Sequence, residues 1–72
     1  MRDYSFYIED DRYTVPTLLF VTTKDNASAR RLARAKLRAS PHHLSVEVFD
    51  GDRPQFKLAP PVAADTNRNI SN

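Results

Sequence analysis

The feature that most constrains the fold is the segment 25–39, DNASARRLARAKLRA, which alone in the chain has strong helical periodicity. Its core-facing positions recur at spacings of three and four residues, so they share one face of an α-helix. That face comprises Ala29, Leu32, Ala33, Leu37 and one charged exception, Lys36. Asp25 is expected to cap the N-terminus, with Thr23 as the alternative, since the carboxylate of Asp25 can accept hydrogen bonds from free amides. Pro41 ends the helix, because the residue before a proline disfavours helical backbone.

Two strand-like segments precede the predicted helix. Residues 4–8 alternate between apolar and polar side chains, which is typical of a half-buried strand. Residues 17–23, TLLFVTT, are apolar on both faces and are therefore predicted to form a central strand. The intervening residues suit a loose hairpin, so we expect these two strands to be antiparallel neighbours.

Two further strands follow the helix. Residues 44–49 alternate again, and residues 54–58 form a shorter strand-like segment. The pair Asp50-Gly51 between them is a good hairpin signal. Pro54 cannot donate a ladder hydrogen bond and favours an edge position for the last strand.

The element order β-β-α-β-β defines the expected fold class. We predict an α+β fold, with a four-stranded, mainly antiparallel sheet and one helix packed on one face. Residues 1–58 form this single small domain. From residue 59 the composition shifts to Pro, Ala, Asn and Ser, so residues 59–72 are predicted to be a disordered C-terminal tail.

Composition excludes several classes of protein. The 72 residues contain no cysteine, so neither a disulfide framework nor a thiolate metal site is available. No apolar run approaches the roughly 20 residues that span a bilayer. The N-terminal MRDYSFYIEDD has acids where a secretion signal has an apolar core. A cytoplasmic location is the default expectation.

The sheet face opposite the helix is predicted to be unusually apolar. By alternation it carries Tyr7 and Phe49, and Leu19 with Val21 are assigned to it from the central strand. Two interpretations remain open: the tail or first loop covers this face, or a second copy or a protein partner does. A stacking platform for single-stranded nucleic acid is a third, but Glu47 stands where a basic residue is needed.

The other face of the helix carries the strongest charge signal. Arg30, Arg31, Arg34 and Arg38 fall on it, and residues 24–39 have a net charge of +5 by count. The whole chain is +2, which leaves −3 for the remainder, so the charge is segregated. The arginines could be a solvated face, or bind an acidic protein surface, nucleic acid or an anionic membrane.

Catalytic and metal-binding patterns are weak. Adjacent His42 and His43 could bind zinc or transfer protons, but neighbouring strand residues point to opposite faces. The acids at 9–11 could hold a divalent cation with Asp50 and Asp52 if the two turns met. Solvated loops explain both groups more simply. No phosphate loop, nucleophile elbow or HExxH occurs, so we predict no enzyme, metal, cofactor or small-molecule substrate.

The chain also resembles a family of small bacterial proteins. The shared features are an aromatic first strand with Tyr4, Phe6 and Ile8, acids at Asp10 and Asp11, an Ala-Arg helix with Ala27, Arg30 and Ala33, and the segment 46–54, VEVFDGDRP. Over residues 4–58 these features resemble the domain of unknown function DUF6894. The resemblance implies a compact α+β domain and a bacterial origin, but no activity.

Together these patterns predict a non-enzymatic interaction protein. Its partner is a protein or a second copy of the chain in preference to nucleic acid, and no membrane association is expected. The alternative is a nucleic-acid-binding accessory protein that uses the arginine-rich helix face.

Overall fold

The computed structural model describes residues 1–60, so the predicted tail lies almost wholly outside the described residues. Within this range, four strands and one helix follow one another as β1 (Arg2–Asp10), β2 (Thr17–Thr23), α1 (Asn26–Arg38), β3 (His43–Asp50) and β4 (Arg53–Leu58). The strands form one antiparallel sheet in the order β2-β1-β3-β4. The predicted α+β class is confirmed, as are the pairing of β1 with β2 and the edge position of β4.

The prediction that residues 17–23 form a central strand is wrong. In the described part of the chain, β2 lies at one edge of the sheet and pairs only with β1. Helix α1 carries the chain past β1, and β3 then pairs with the other side of β1. Apolar residues on both faces are typical of a central strand, but they do not specify which strand lies beside which.

The core lies between α1 and the sheet. Alternate residues of β1 and β3 point towards α1, and Tyr4, Phe6, Val46 and Val48 are fully buried there. The helix supplies small side chains, Ala29 and Ala33, which are also fully buried and let α1 lie close to the sheet. The core is completed by Ile8 and Leu37, with Leu19, Val21, Phe56 and Leu58 packed at its margin.

The boundaries of α1 agree with the sequence. The carboxylate of Asp25 accepts a hydrogen bond from the Ser28 backbone amide at 2.8 Å. This hydrogen bond lowers the pKa of Asp25, because it stabilises the ionised carboxylate. Leu32, predicted on the inward face, is 41% exposed. A single residue step rotates the helix by about 100°, so Leu32 lies on the flank of the stripe that Ala33 belongs to.

Candidate interaction surfaces

The sheet face that α1 leaves open carries a cluster of four large apolar side chains. They are Tyr7 from β1, Leu18 and Phe20 from β2, and Phe49 from β3, and we call them the open-face patch. The rings of Tyr7 and Phe49 meet edge to face, with centroids 5.3 Å apart and planes at 73°. Leu18 is the cross-strand partner of Tyr7, and Phe20 is 77% exposed.

The open-face patch covers the part of the sheet nearer the β2 edge. In the cross-strand register Ser5 stands between Phe20 and Phe49, so in this row one small side chain separates two aromatic ones. Towards β4 the open face becomes charged, because Glu47 pairs with Lys57. The face is therefore apolar near β2 and polar near β4.

Two residues assigned to the open face from the sequence lie on the other side of the sheet. Leu19 and Val21 are half-buried against the core, opposite Phe6 and Tyr4 in the β1–β2 register. Tyr7 and Phe49 are where the alternation predicted them. A shift of one residue moves every side chain of a strand to the other face.

Leu18 and Phe20 were missed because β2 has apolar residues at both sets of positions. The sequence of β2 alone does not indicate which set of alternate residues faces the core. The pairing with β1 decides this, because it places Leu19 beside the core residue Phe6. No signal within residues 17–23 could have identified the exposed pair.

The four arginines of α1 are all exposed, but they do not have equivalent surroundings. The guanidinium of Arg30 lies 4.4 Å from the ring centroid of Phe56, in a cation–π contact that joins α1 to β4. Arg31 donates a hydrogen bond to the hydroxyl of Ser28, which lies one turn earlier, at 3.2 Å. These two arginines therefore also have structural contacts.

Arg34 and Arg38 border a cleft of about 550 Å³ between the C-terminal half of α1 and β4. Leu37 and Leu58 also line this cleft, together with His43. Among the described residues, none of the four helix arginines lies within 4.0 Å of a carboxylate oxygen. Within residues 1–60 the helix face therefore presents positive charge that no carboxylate neutralises at this distance.

Asp10, for which a solvated loop was the simpler prediction, is a buried carboxylate at the end of β1. It accepts hydrogen bonds from three nitrogens of Arg12: the backbone amide at 2.8 Å, Nε at 3.0 Å and Nη2 at 2.7 Å. The side-chain hydrogen bonds from Arg12, above all, hold the pKa of Asp10 well below its usual range. The same pairing raises the pKa of Arg12.

The two histidines have separate partners. Nδ1 of His42 lies 2.9 Å from the carboxylate of Asp11. Nδ1 of His43 lies 2.6 Å from the carbonyl oxygen of Lys36, which can only accept, so this nitrogen donates. Nε2 of His43 then faces Asp10 at 3.6 Å. His43 thus connects the end of α1 to the end of β1.

The structure does not bring the two acidic turns together. Asp10 lies opposite His43, whereas Asp50 lies opposite Tyr4, six residues away along β1. Six residues of strand separate them by roughly 20 Å. In the described part of the chain, no group of three or more His, Asp or Glu side chains could hold a metal ion.

The chain matches no family model, no curated protein and no solved structure. The resemblance to DUF6894 therefore stays a prediction. Helix α1, the one helix among residues 1–60, is too short and too polar to cross a membrane.

Proposed function

We propose that the protein is a non-enzymatic interaction module that associates with a protein surface through the open-face patch, in the first place with a second copy of itself. The observation that carries this proposal is the exposure of Leu18 and Phe20 beside the Tyr7–Phe49 pair. Contiguous apolar side chains that remain exposed on a small domain are typical of an interaction site.

The size of the core supports association. Only eight apolar side chains are buried in residues 1–60, and three large apolar groups of the open face, Phe20, Leu18 and Tyr7, are exposed instead. Domains of this size gain little from their own core. Contact with another protein would remove these side chains from water and add to the free energy of unfolding.

Two leucine variants with matched exposure test the proposal. Leu18 in the open-face patch is 44% exposed, and Leu32 on α1, on the opposite side of the sheet, is 41% exposed. We expect Leu18→Ser to weaken self-association about tenfold, which corresponds to about 1.4 kcal/mol. Leu32→Ser should change it less than twofold. Sedimentation equilibrium measures both dissociation constants.

Equal effects of the two variants would contradict the proposal, because the association would then not depend on the open-face patch. Circular dichroism of each variant controls for loss of fold. The same two variants also test binding to a different protein partner. In that assay nuclease treatment excludes bridging by nucleic acid.

A second candidate function is nucleic-acid binding by the helix face. It is favoured by one observation, namely that Arg34 and Arg38 have no carboxylate within 4.0 Å among residues 1–60. Unpaired guanidinium groups spaced along one helix can neutralise neighbouring phosphates. The acidic remainder of the chain opposes this candidate, so it ranks second.

A further inference from the structure

Strand β2 combines the composition of a buried strand with the position of an edge strand. Residues 17–23 contain no charged side chain and no proline. Within the described residues β2 pairs only with β1, so its outer row of amides and carbonyls has no partner strand there. The pairing of residues 2–8 with residues 17–23 has no register shift, so no bulge turns this edge away. Such an edge is a template for pairing with another chain.

The opposite edge of the sheet is protected. Strand β4 begins with Arg53 and Pro54 and carries Lys57, and both charge and proline discourage pairing at an edge. The β3–β4 pairing also has a register shift between Val48 and Phe49. In the described part of the chain the sheet therefore has one open edge and one protected edge.

We propose that the partner is a second copy of this chain and that the two copies pair edge to edge through β2. This inference rests on the proposed function and specifies its partner and geometry. The two β2 strands run antiparallel about a two-fold axis, and two four-stranded sheets become one eight-stranded sheet. β2 then occupies the central position that its composition predicts.

Because the sheet formed by residues 1–60 has only one open edge, the assembly is a closed dimer. If both edges were open, copies could add at each end and form a fibre, whereas a two-fold contact between identical edges uses up the open edge of each copy. The protected β4 strands form the two ends of the eight-stranded sheet. This accounts for the contrast between the two edges.

The sequence of β2 is complementary to itself in a register centred on Phe20. On the open face Phe20 then meets its own copy, and Leu18 meets the partner's Thr22. On the helix face Leu19 meets the partner's Val21. No like charges oppose each other across the strand pair, because residues 17–23 are uncharged. The two open-face patches also become continuous across the axis.

Amide hydrogen exchange, measured residue by residue by NMR, tests the pairing directly. In an isolated edge strand, successive N–H groups alternate between the neighbouring strand and solvent, so about half of them exchange rapidly. We expect every amide of β2 to be protected at concentrations where sedimentation shows a dimer. Dilution should expose the alternate, outward set only. The outward amides of β4 are the internal control and should stay unprotected throughout.

Two results would overturn the inference. The first is a chain that sediments as a monomer at several hundred micromolar. The second is a dimer in which the outward amides of β2 remain unprotected, which would show that the sheet faces pack directly. In the second case Leu18→Ser still weakens the dimer, so the proposed function stands while edge pairing fails.

Cross-linking gives an independent geometric test, since the chain has no native cysteine. In the edge-paired dimer Phe20→Cys lies opposite its own copy, within the roughly 7 Å between Cα atoms that a disulfide requires. Tyr7→Cys is the control, because three strand spacings, about 14 Å, separate the two β1 strands. We expect oxidation to cross-link Phe20→Cys at least tenfold faster. Faster cross-linking of Tyr7→Cys would overturn edge pairing.

Discussion

At the scale of single residues, Asp10 has the most demanding environment in the described chain. A carboxylate that is 4% exposed must find partners for its oxygens, and Arg12 supplies three donors from only two residues away. Nε2 of His43 lies on the remaining side. The cluster holds the end of β1, the first loop and the start of β3 together. Its role is therefore structural, and it explains why an acid can occupy a buried strand position.

The depressed pKa of Asp10 predicts how stability depends on pH. Above the unfolded pKa of about 3.9 the hydrogen-bonded carboxylate contributes its full stabilisation. As the pH falls below that value, the unfolded chain takes up a proton that the folded chain does not, so the contribution is lost progressively. Asp10→Asn should therefore lower the urea midpoint at pH 7, with a difference from the wild type that shrinks between about pH 5 and pH 2.

The control for this prediction is Asp52→Asn, which alters an exposed carboxylate in the β3–β4 turn. This variant should have nearly the same urea midpoint as the wild type at pH 7 and at pH 2. A loss of stability in Asp10→Asn that is constant from pH 7 to pH 2 would show that the carboxylate charge does not contribute.

At the scale of elements, the β3–β4 hairpin shows how a local sequence signal determines local structure. The strands end at Asp50 and begin again at Arg53, so Gly51 and Asp52 form a two-residue loop. Gly51 has φ +64°, and no residue other than glycine among the described ones has a positive φ. A positive φ at the first loop position alone matches a type II′ turn, whose twist suits antiparallel strands. The Asp-Gly pair predicted this hairpin correctly.

Replacing Gly51 by alanine isolates the conformational cost of this turn. A Cβ atom at Gly51 would meet nothing within 4 Å, so no steric clash contributes. We expect Gly51→Ala to lower the free energy of unfolding by about 1–2 kcal/mol, because an L side chain disfavours positive φ. Gly51→Asn should cost less, since asparagine tolerates this region. Urea unfolding measures the free energy of unfolding of both variants, provided that the m-value is unchanged. Equal losses in Gly51→Ala and Gly51→Asn would contradict the explanation that positive φ causes the loss.

At the scale of the whole molecule, charge and apolar surface lie on opposite sides of the sheet. The helix side presents the arginines of α1, and the open face presents the apolar patch next to β2. A dimer formed through β2 keeps both helices on one side of the eight-stranded sheet, so two arginine faces would line the same surface. Dimerisation would therefore also enlarge the positively charged surface that could bind phosphates.

If the helix face binds phosphates, the salt dependence of binding to random duplex DNA should reveal it. Each phosphate contact contributes about 0.9 to the slope of log K against log salt. The double variant Arg34→Gln/Arg38→Gln should then reduce the slope by about 2. The control Arg2→Gln/Arg53→Gln makes the same change in net charge on the strands and should preserve most of the slope. Absence of binding at low salt would remove this candidate.

Much of the fold followed from local patterns. The helix from Asn26 to Arg38, its cap at Asp25 and the hairpin at Gly51 are set by interactions within a few residues, and such signals are present in the sequence. The candidate site was predicted only in part. Tyr7 and Phe49 belong to strands whose alternation is clear, whereas β2 has no such alternation, so Leu19 and Val21 were assigned to the wrong face.

The sequence by itself determined the elements, their order and the segregation of positive charge onto α1, because helix periodicity, capping and turn conformation are short-range properties. Only the tertiary structure decided that β2 lies at an edge, that Leu18 and Phe20 face outward and that Asp10 is buried beside Arg12. The physical reason is that strand order and register depend on hydrogen bonds between residues distant in the chain. Because both faces of β2 are apolar, its sequence does not specify which face is buried, and the pairing with β1 decides this.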